Sequence, residues 1–187
     1  MAAKSSLRNM ALCLTLVCLF CSSVLALVYA VTFDPIEQAS RKALEASIGR
    51  VLPEGGELSE AREAEFAGQD YEYYVSSADT TVIAYAVKST TIGFGGPLTV
   101  MVGVLPDGTI YNTSVLSHSE TPGLGAKCQT DEAFLGQWKG YNGSFKVTKD
   151  GGDVDAITAS TITSRAYTLA VANAAALVKN MGGQDNE

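Results

Sequence analysis

The stretch Leu98–Leu116, LTVMVGVLPDGTIYNTSVL, decides the fold class of this chain. Leu98–Leu105 and Thr109–Leu116 contain the β-branched residues typical of strands. Between them, Pro106-Asp107-Gly108 predicts a tight turn, because proline fixes φ and Asp-Gly tolerates positive φ. Two strands joined by so short a turn are expected to pair as antiparallel neighbours.

Further elements extend this hairpin in both directions. Apolar residues at helical spacing predict a helix over Asp34–Leu52, with Pro35 in its first turn. A long Ala-rich helix is predicted from about Ser160 to Met181. The remaining predictions are strands over Tyr71–Val75, Thr81–Lys88 and Ser144–Thr148, and a short helix over Asp131–Trp138. Together these elements predict the α+β class, an antiparallel sheet packed with helices.

The composition argues against several classes of function. The 187 residues include 13 Lys and Arg against 20 Asp and Glu, and this acidic balance argues against nucleic-acid binding. The one histidine, His118, cannot form a two- or three-histidine zinc site within the chain. No Cys-x-x-Cys motif lies in the polar part, where Cys128 is the only cysteine, so a cysteine-held iron–sulfur cluster is not expected. Any redox chemistry therefore requires a borrowed cofactor.

An uncharged segment near the N-terminus predicts a membrane anchor. No charged residue lies between Arg8 and Asp34, and an apolar run of this length can cross the hydrocarbon core as a helix. Lys4 and Arg8 precede it, so the positive-inside rule places the N-terminus in the cytoplasm and the rest of the chain outside. The alternative is a cleavable signal peptide ending at Val28-Tyr29-Ala30, although the run is longer than the apolar core of such peptides.

Four parts follow from this assignment. They are a cytoplasmic N-terminus at 1–9, a transmembrane anchor at 10–33, a linker helix and acidic segment at 34–70, and an extracytoplasmic domain at 71–187. The chain is therefore expected to be a single-pass membrane protein with its folded domain outside the cytoplasm.

The segment Asp155–Ser164, DAITASTITS, is the first candidate site. Five hydroxyl residues fall in seven positions where the long helix begins. One interpretation is helix capping, but capping needs only one or two hydroxyls. The other is an anion site, because helix-start amides and hydroxyls can hold a phosphate without a lysine. The residues alone leave both interpretations open.

The loop Ser117–Gly125, SHSETPGLG, is the second candidate site. Gly123 and Gly125 allow the backbone to approach a flat ligand, whose ring oxygens can accept hydrogen bonds from the amides. A plain surface loop has a similar composition. His118 in this loop is expected to be a surface or packed histidine rather than a catalytic group.

Both segments, with the features around them, resemble one family: the FMN-binding G subunit of the Rnf complex, a relative of the C subunit of the sodium-translocating NADH:quinone reductase. The resemblance covers nearly the whole chain, from the N-terminal apolar helix onward. It includes the Pro-Asp-Gly turn and the Glu-Thr-Pro-Gly-Leu-Gly loop. It also includes the flavinylation motif Asp-x-x-Ser/Thr-Gly-Ala-Thr. The matching residues are Val51-Leu52-Pro53, Gly95-Gly96-Pro97, Glu120–Gly125, Trp138-Lys139-Gly140 and Asp155–Thr161.

The resemblance implies a covalent flavin. FMN would be joined through its phosphate to Thr161 by a separate flavin transferase that uses FAD. Asp155, Thr158, Ala159 and Ser160 would form the segment that the transferase recognises. The residues expected to contact the cofactor are Glu120, Thr121, Pro122, Gly123, Leu124, Gly125, Thr158, Ala159, Ser160, Ile162 and Thr163.

One departure from the family pattern concerns the acceptor. The family has Gly-Ala before the acceptor threonine, whereas this chain has Ala159-Ser160. Alanine adopts positive φ less easily than glycine, so a different local turn is possible and Thr163 is a second candidate acceptor.

The function implied is that of a membrane-anchored electron carrier without catalytic residues of its own. It would pass electrons between other membrane and redox subunits of an Rnf-type ion-translocating ferredoxin:NAD oxidoreductase complex. The alternatives are the flavin domain of another extracytoplasmic reductase and a non-redox module that binds a phosphate or small ligand reversibly.

Overall fold

A computed structural model describes residues 7–79 and 81–184. The chain divides into two compact units, Met1–Ala43 and Leu44–Glu187. Lys4, which the orientation prediction uses, lies outside the described residues. All of the candidate site residues lie in the second unit.

Helix α1 spans Leu7–Val51 without interruption. Every residue from Leu7 to Ala43 is exposed, and by length and composition the helix can cross a membrane. The helix predicted over Asp34–Leu52 is confirmed as the last part of α1, but the first-turn position predicted for Pro35 was wrong, because Pro35 lies inside the helix. A proline removes one backbone hydrogen bond, and a helix of 45 residues retains enough others to continue past it.

An antiparallel sheet of six strands forms the centre of the second unit. Its strands are β1 (Glu57–Leu58), β2 (Arg62–Phe66), β3 (Gln69–Ala78), β4 (Thr81–Ile92), β5 (Pro97–Val104) and β6 (Ile110–His118). The order is β1-β3-β4-β5-β6, and β2 also pairs with β3. The predicted hairpin is confirmed as β5 and β6, which pair with Val100 opposite Val115.

Two strand predictions need correction, and two strands were not predicted. Tyr71–Val75 is only part of the longer β3, and neither β1 nor β2 was predicted. The sequence of β2, REAEF, is charged and lies against β3 in largely exposed positions, so it lacks the apolar alternation of a half-buried strand. Ser144–Thr148 is not a strand, because Phe145 has a positive φ of 50° and only an isolated bridge joins Val147 to Val154.

Helices cover both faces of the sheet. The long helix is confirmed as α3 (Thr161–Gln184), and the short one as α2 (Glu132–Gly136), for which Asp131 is the N-cap. On this face the fully buried Trp138 stacks on Tyr167 of α3, with ring centroids 5.6 Å apart. The opposite face packs on the end of α1 through Ile48, Val51, Tyr74, Ala86 and Met101. The predicted α+β class is confirmed.

Candidate functional site

A cavity of about 350 Å³ opens where three segments meet. They are the turn between β4 and β5, the loop after β6, and the first turn of α3. The lining residues are Phe94, Glu120, Thr121, Leu124, Gly125, Ala159, Ser160, Thr161, Ile162 and Thr163. We call the buried residues Glu120, Gly125 and Thr163 the floor. We call Phe94, Leu124, Thr161 and Ile162 the rim, since the three apolar side chains among them are exposed and Thr161 is half-buried.

Glu120 joins the three segments. Its side chain is only 6% exposed. Oε1 accepts hydrogen bonds from the backbone N–H groups of Phe94 at 2.8 Å and Gly95 at 3.3 Å. Oε2 accepts from the Thr163 hydroxyl at 2.8 Å. One buried carboxylate thus ties the β4–β5 turn and the loop to helix α3, with three donors compensating for its burial.

The loop requires glycine at two positions, for different structural reasons. Gly123 has a φ of +78°, which glycine adopts without strain. Gly125 is required by space, because a Cβ there would collide with the Glu120 carboxylate and lie 2.7 Å from Thr163 Oγ1. The Gly-Leu-Gly sequence therefore allows the loop to pack directly against the floor of the cavity.

The five hydroxyls at the start of α3 do not act as caps of its first amides. Ser160 occupies the N-cap position, since its carbonyl accepts from the Ser164 N–H. Its own buried hydroxyl makes no hydrogen bond with any residue that the structure describes. Thr163 donates to Glu120, and Ser164 donates to the Ser160 carbonyl and accepts from the Ile157 N–H. The free amides of the first turn are consequently left to a ligand or to water.

Ala159 adopts a left-handed backbone conformation directly before α3. Its φ is +60°, so the turn that normally suits glycine is formed here by an alanine. The chain therefore approaches α3 through a residue whose Cβ makes this conformation strained.

Thr161 is the hydroxyl of this group that faces a cation. Lys149 Nζ donates to Thr161 Oγ1 at 2.9 Å. Lys149 lies on a short 3₁₀ turn, Thr148–Asp150, and the next residue, Asp150, forms a bidentate ion pair with Arg165 of α3 at 2.7 and 2.6 Å. The hydrogen bonds from Arg165 hold the pKa of Asp150 below its usual value.

The structure brings most of the predicted site residues together, but not all. Pro122, Gly123, Thr158 and Asp155 do not line the cavity. The backbone of Asp155 is held by Gln137, which accepts from its N–H at 2.7 Å and donates to its carbonyl at 3.2 Å, while its side chain is exposed.

Two residues of the site were not predicted from the sequence. Phe94 lines the cavity from within the Gly-rich turn 93–97, whose position before a strand was the available signal. Lys149 reaches Thr161 only through the tertiary fold, and no local sequence pattern marks it.

His118 and Cys128 support the loop. The Glu120 N–H donates to His118 Nδ1 at 3.2 Å, and His118 Nε2 lies 3.2 Å from Gln129 Oε1. Cys128 is fully buried; burial and the charge of Glu120 raise the pKa of its thiol to about 11. The thiol is therefore protonated at neutral pH, which makes it a poor nucleophile.

The arrangement suits a ligand with a flat apolar part and an anionic end. Phe94 is 69% exposed and Ile162 is 52% exposed, so an apolar ring on the rim would remove their surfaces from water. Beside them, the amides of α3 and the Lys149 ammonium form a positively polarised end. A phosphate attached to an aromatic ring system matches both halves of this site.

Comparison with known protein families first identifies the general class of this chain. Residues 93–176 match the family model described as an FMN-binding domain, and residues 1–51 match the N-terminal region of RnfG. The first of these ranges contains the whole cavity. The class is therefore that of proteins with an FMN-binding domain.

Relatives along the full chain narrow this class to one family. The G subunit of the proton-translocating ferredoxin:NAD(+) oxidoreductase complex of Clostridium ljungdahlii is 32% identical over 91% of this chain and 90% of its own length. The G subunit of an ion-translocating oxidoreductase complex of Cereibacter sphaeroides is 36% identical, over 87% and 80%. The chain belongs to the family of G subunits of ion-translocating oxidoreductase complexes, and the predicted resemblance is confirmed.

Solved structures similar to this chain include the C subunit of the Na(+)-translocating NADH-quinone reductase of Parabacteroides distasonis. It is 23% identical, covers 72% of this chain and 80% of its own, and superposes with a TM-score of 0.48.

Proposed function

We propose that this chain is the membrane-anchored, FMN-carrying electron-transfer subunit of an Rnf-type ion-translocating ferredoxin:NAD oxidoreductase complex. The observation that carries the proposal is the cavity in which exposed apolar side chains adjoin a threonine hydroxyl at a helix start. The names of the full-length relatives supply the complex. Helix α1 supplies the membrane anchor.

The residues present fit FMN. The cavity volume lies within the range of about 300–1,000 Å³ usual for small-molecule sites. Phe94, Leu124 and Ile162 offer apolar surface for the ring system. The first turn of α3 and Lys149 would hold the phosphate, because helix-start amides and an ammonium both favour negative charge.

We assign the covalent attachment to Thr161 rather than Thr163. Thr163 is 1% exposed, and its hydroxyl donates to the Glu120 carboxylate. Esterifying Thr163 would break that bond and require a phosphate in the floor of the cavity beside a carboxylate. Thr161 is half-buried on the rim, and its oxygen already accepts from an ammonium. Its surroundings favour a negatively charged product.

A flavin transferase would carry out the attachment with FAD as co-substrate. The Thr161 oxygen forms a bond to the phosphorus of the FMN half, and the bond from that phosphorus to the AMP half breaks. AMP leaves with the bonding electrons, and the hydroxyl proton passes to a base on the transferase. The exposed carboxylate of Asp155 lies in the recognition segment and is free to contact that enzyme.

Bound FMN supplies reversible uptake and release of electrons. This chain's residues would hold and orient the cofactor: the apolar side chains of the rim would contact its ring system, and Thr161 of α3 would hold its phosphate end. Because the tether is covalent, the cofactor is not lost on the side of the membrane that lacks an FMN pool. Donor and acceptor would be other redox subunits of the complex.

The orientation follows from charge. Lys4 and Arg8 lie before the apolar part of the N-terminal segment, and no Lys or Arg follows it until Arg41. The positive-inside rule therefore favours a cytoplasmic N-terminus and an FMN domain on the periplasmic side of the bacterial inner membrane.

The test is the intact mass of the full-length protein co-expressed with a flavin transferase. We expect the wild type to gain one FMN, Thr161→Val to gain none, and the matched variant Thr163→Val to retain the gain. In-gel flavin fluorescence after denaturation checks that the cofactor is covalent.

Other outcomes would change the proposal in defined ways. A gain that survives in Thr161→Val and disappears in Thr163→Val would move the acceptor to Thr163. No gain in any variant would exclude the covalent carrier. A reversible phosphate-binding module would then be the better explanation of the cavity.

A further inference from the structure

The contact between Lys149 and Thr161 is not part of the flavinylation motif. The two residues are separated by 12 positions, and Lys149 is exposed on the turn Thr148–Asp150. Its ammonium nevertheless lies 2.9 Å from the oxygen proposed to be esterified. A lysine at this distance is positioned to act on whatever group that oxygen carries.

An ion pair between the turn and α3, which we call the brace, fixes the position of this lysine. Asp150, the residue after Lys149, pairs with both Nε and Nη2 of Arg165. Arg165 lies four residues after Thr161, one turn further along α3. A bidentate pair restricts orientation as well as distance. The turn is therefore held beside the start of α3 with Lys149 directed at Thr161.

The brace also leaves the charge of Lys149 available. Asp150 and Arg165 neutralise each other, whereas Lys149 forms no ion pair with any residue in the described part of the chain. The overall charge of the protein is −7, so an unpaired cation at the site opposes a field that repels phosphate.

A second observation points independently to a ligand here. Ser160, 7% exposed and next to Thr161, lines the cavity, and its hydroxyl makes no hydrogen bond among the residues described. A buried hydroxyl without a partner is destabilising unless a bound group or water completes it. The amides of the same turn are uncapped as well. Three kinds of donor thus occur at the start of α3: the Lys149 ammonium, the Ser160 hydroxyl and the amides of the first turn.

We propose that Lys149 is a phosphate-binding residue of the flavin site, which rests on the proposed attachment at Thr161. It binds the phosphate of the flavin nucleotide during transfer and remains paired with the phosphodiester afterwards. The ammonium has donors and no lone pair, so it is a positioning and charge-stabilising group and not the base that removes the hydroxyl proton. The other oxygens of the phosphate are bonded to the same phosphorus as the Thr161 oxygen, which brings them within reach of Nζ.

The test uses purified full-length apoprotein, FAD and a flavin transferase, with intact mass followed over time. We expect Lys149→Gln to be loaded with FMN about tenfold more slowly than the wild type, because it loses one charge-assisted hydrogen bond to the phosphate. Lys149→Arg should recover most of the rate. Lys146→Gln is the matched control: it removes a charge from an exposed lysine three residues away, and the structure shows no contact of Lys146 with Thr161. It should load at the wild-type rate.

A second readout does not depend on the rate. The phosphorus NMR signal of the loaded protein should shift in Lys149→Gln and not in Lys146→Gln, because only Lys149 would contact the diester. Thr161→Val in the same assay separates the two proposals. Loading of Thr161→Val would overturn the attachment site and the role of Lys149 with it.

Other results overturn the role of Lys149 alone. One is normal loading and an unshifted phosphorus signal in Lys149→Gln while Thr161→Val fails to load. Another is equal slowing of Lys149→Gln and Lys146→Gln, which would show that the general charge of the segment, and not this contact, sets the rate.

Discussion

The floor and the rim of the cavity each contain a threonine, and its hydroxyl is used differently in the two places. In the floor, the carboxylate of Glu120 and the hydroxyl of Thr163 are buried and bonded to each other. On the rim, Thr161 is half-buried and its oxygen accepts from an exposed lysine. The floor satisfies its polar groups within the protein, whereas the rim leaves them open to a ligand.

Helix geometry produces this difference from two nearly adjacent threonines. Side chains two positions apart on a helix do not face the same direction. Thr163 therefore points into the domain and Thr161 towards the turn that carries Lys149. A hydroxyl already bonded in the fold is withheld from chemistry, and its neighbour remains accessible. This division explains why a motif rich in hydroxyls can have a single acceptor.

The largest effect on stability is expected from removing the Glu120 side chain at the centre of the floor. Glu120→Ala leaves the Thr163 hydroxyl and the N–H groups of Phe94 and Gly95 without their acceptor, so we expect a loss of about 3 kcal/mol in the free energy of unfolding. Denaturant unfolding of the full-length protein in detergent would measure it. The single, fully buried Trp138 provides the fluorescence signal.

Glu120→Gln is the control for this prediction. Glutamine keeps one carbonyl for the two amides, and its NH₂ can donate to Thr163, so the loss should be about 1 kcal/mol. An unchanged stability in Glu120→Ala would show that the floor does not hold the three segments together.

A smaller pair of effects, unequal in size, should separate the two threonines. Thr163→Val removes a donor to the buried carboxylate and should cost about 1–2 kcal/mol in the free energy of unfolding. Thr161→Val removes only an exposed contact and should cost less than about 0.5 kcal/mol. The same unfolding assay applies, and equal costs would contradict the division between floor and rim. For attachment of the flavin we expect the reverse order: Thr161→Val should abolish it, and Thr163→Val should retain it.

Features with short-range signals could be predicted from the sequence. The hairpin Leu98–Leu116, the helix α3 and the apolar part of α1 each carry a local pattern of turn residues or periodic apolar residues. The loop Glu120–Gly125 and the segment before α3 were recognisable as motifs. These predictions were independent of how the chain packs.

Features that depend on distant parts of the chain could not be predicted. The charged strand β2 forms because β3 offers it an edge, and nothing in its own sequence favours a strand. The place of Lys149 depends on the ion pair between Asp150 and Arg165, 15 residues apart. The contrast between Thr161 and Thr163 likewise required the position of Glu120, which lies 43 residues before Thr163.

A modest gain in stability is expected from relieving strain at the entry to α3, where Ala159 adopts a φ of +60°. A non-glycine residue in this region is strained by its Cβ, so Ala159→Gly should stabilise the protein by about 0.5–1 kcal/mol despite the greater freedom of glycine in the unfolded chain. Ala156→Gly, at a position without positive φ in the same segment, should destabilise it by a similar amount. Unfolding followed by Trp138 fluorescence would distinguish the two signs.

Ala159 lines the cavity beside Thr161. If Ala159→Gly relieves strain without loss of flavin loading, the left-handed turn, and not the alanine side chain, presents the acceptor. A destabilised Ala159→Gly would mean that the alanine contributes packing on the rim that outweighs its strain.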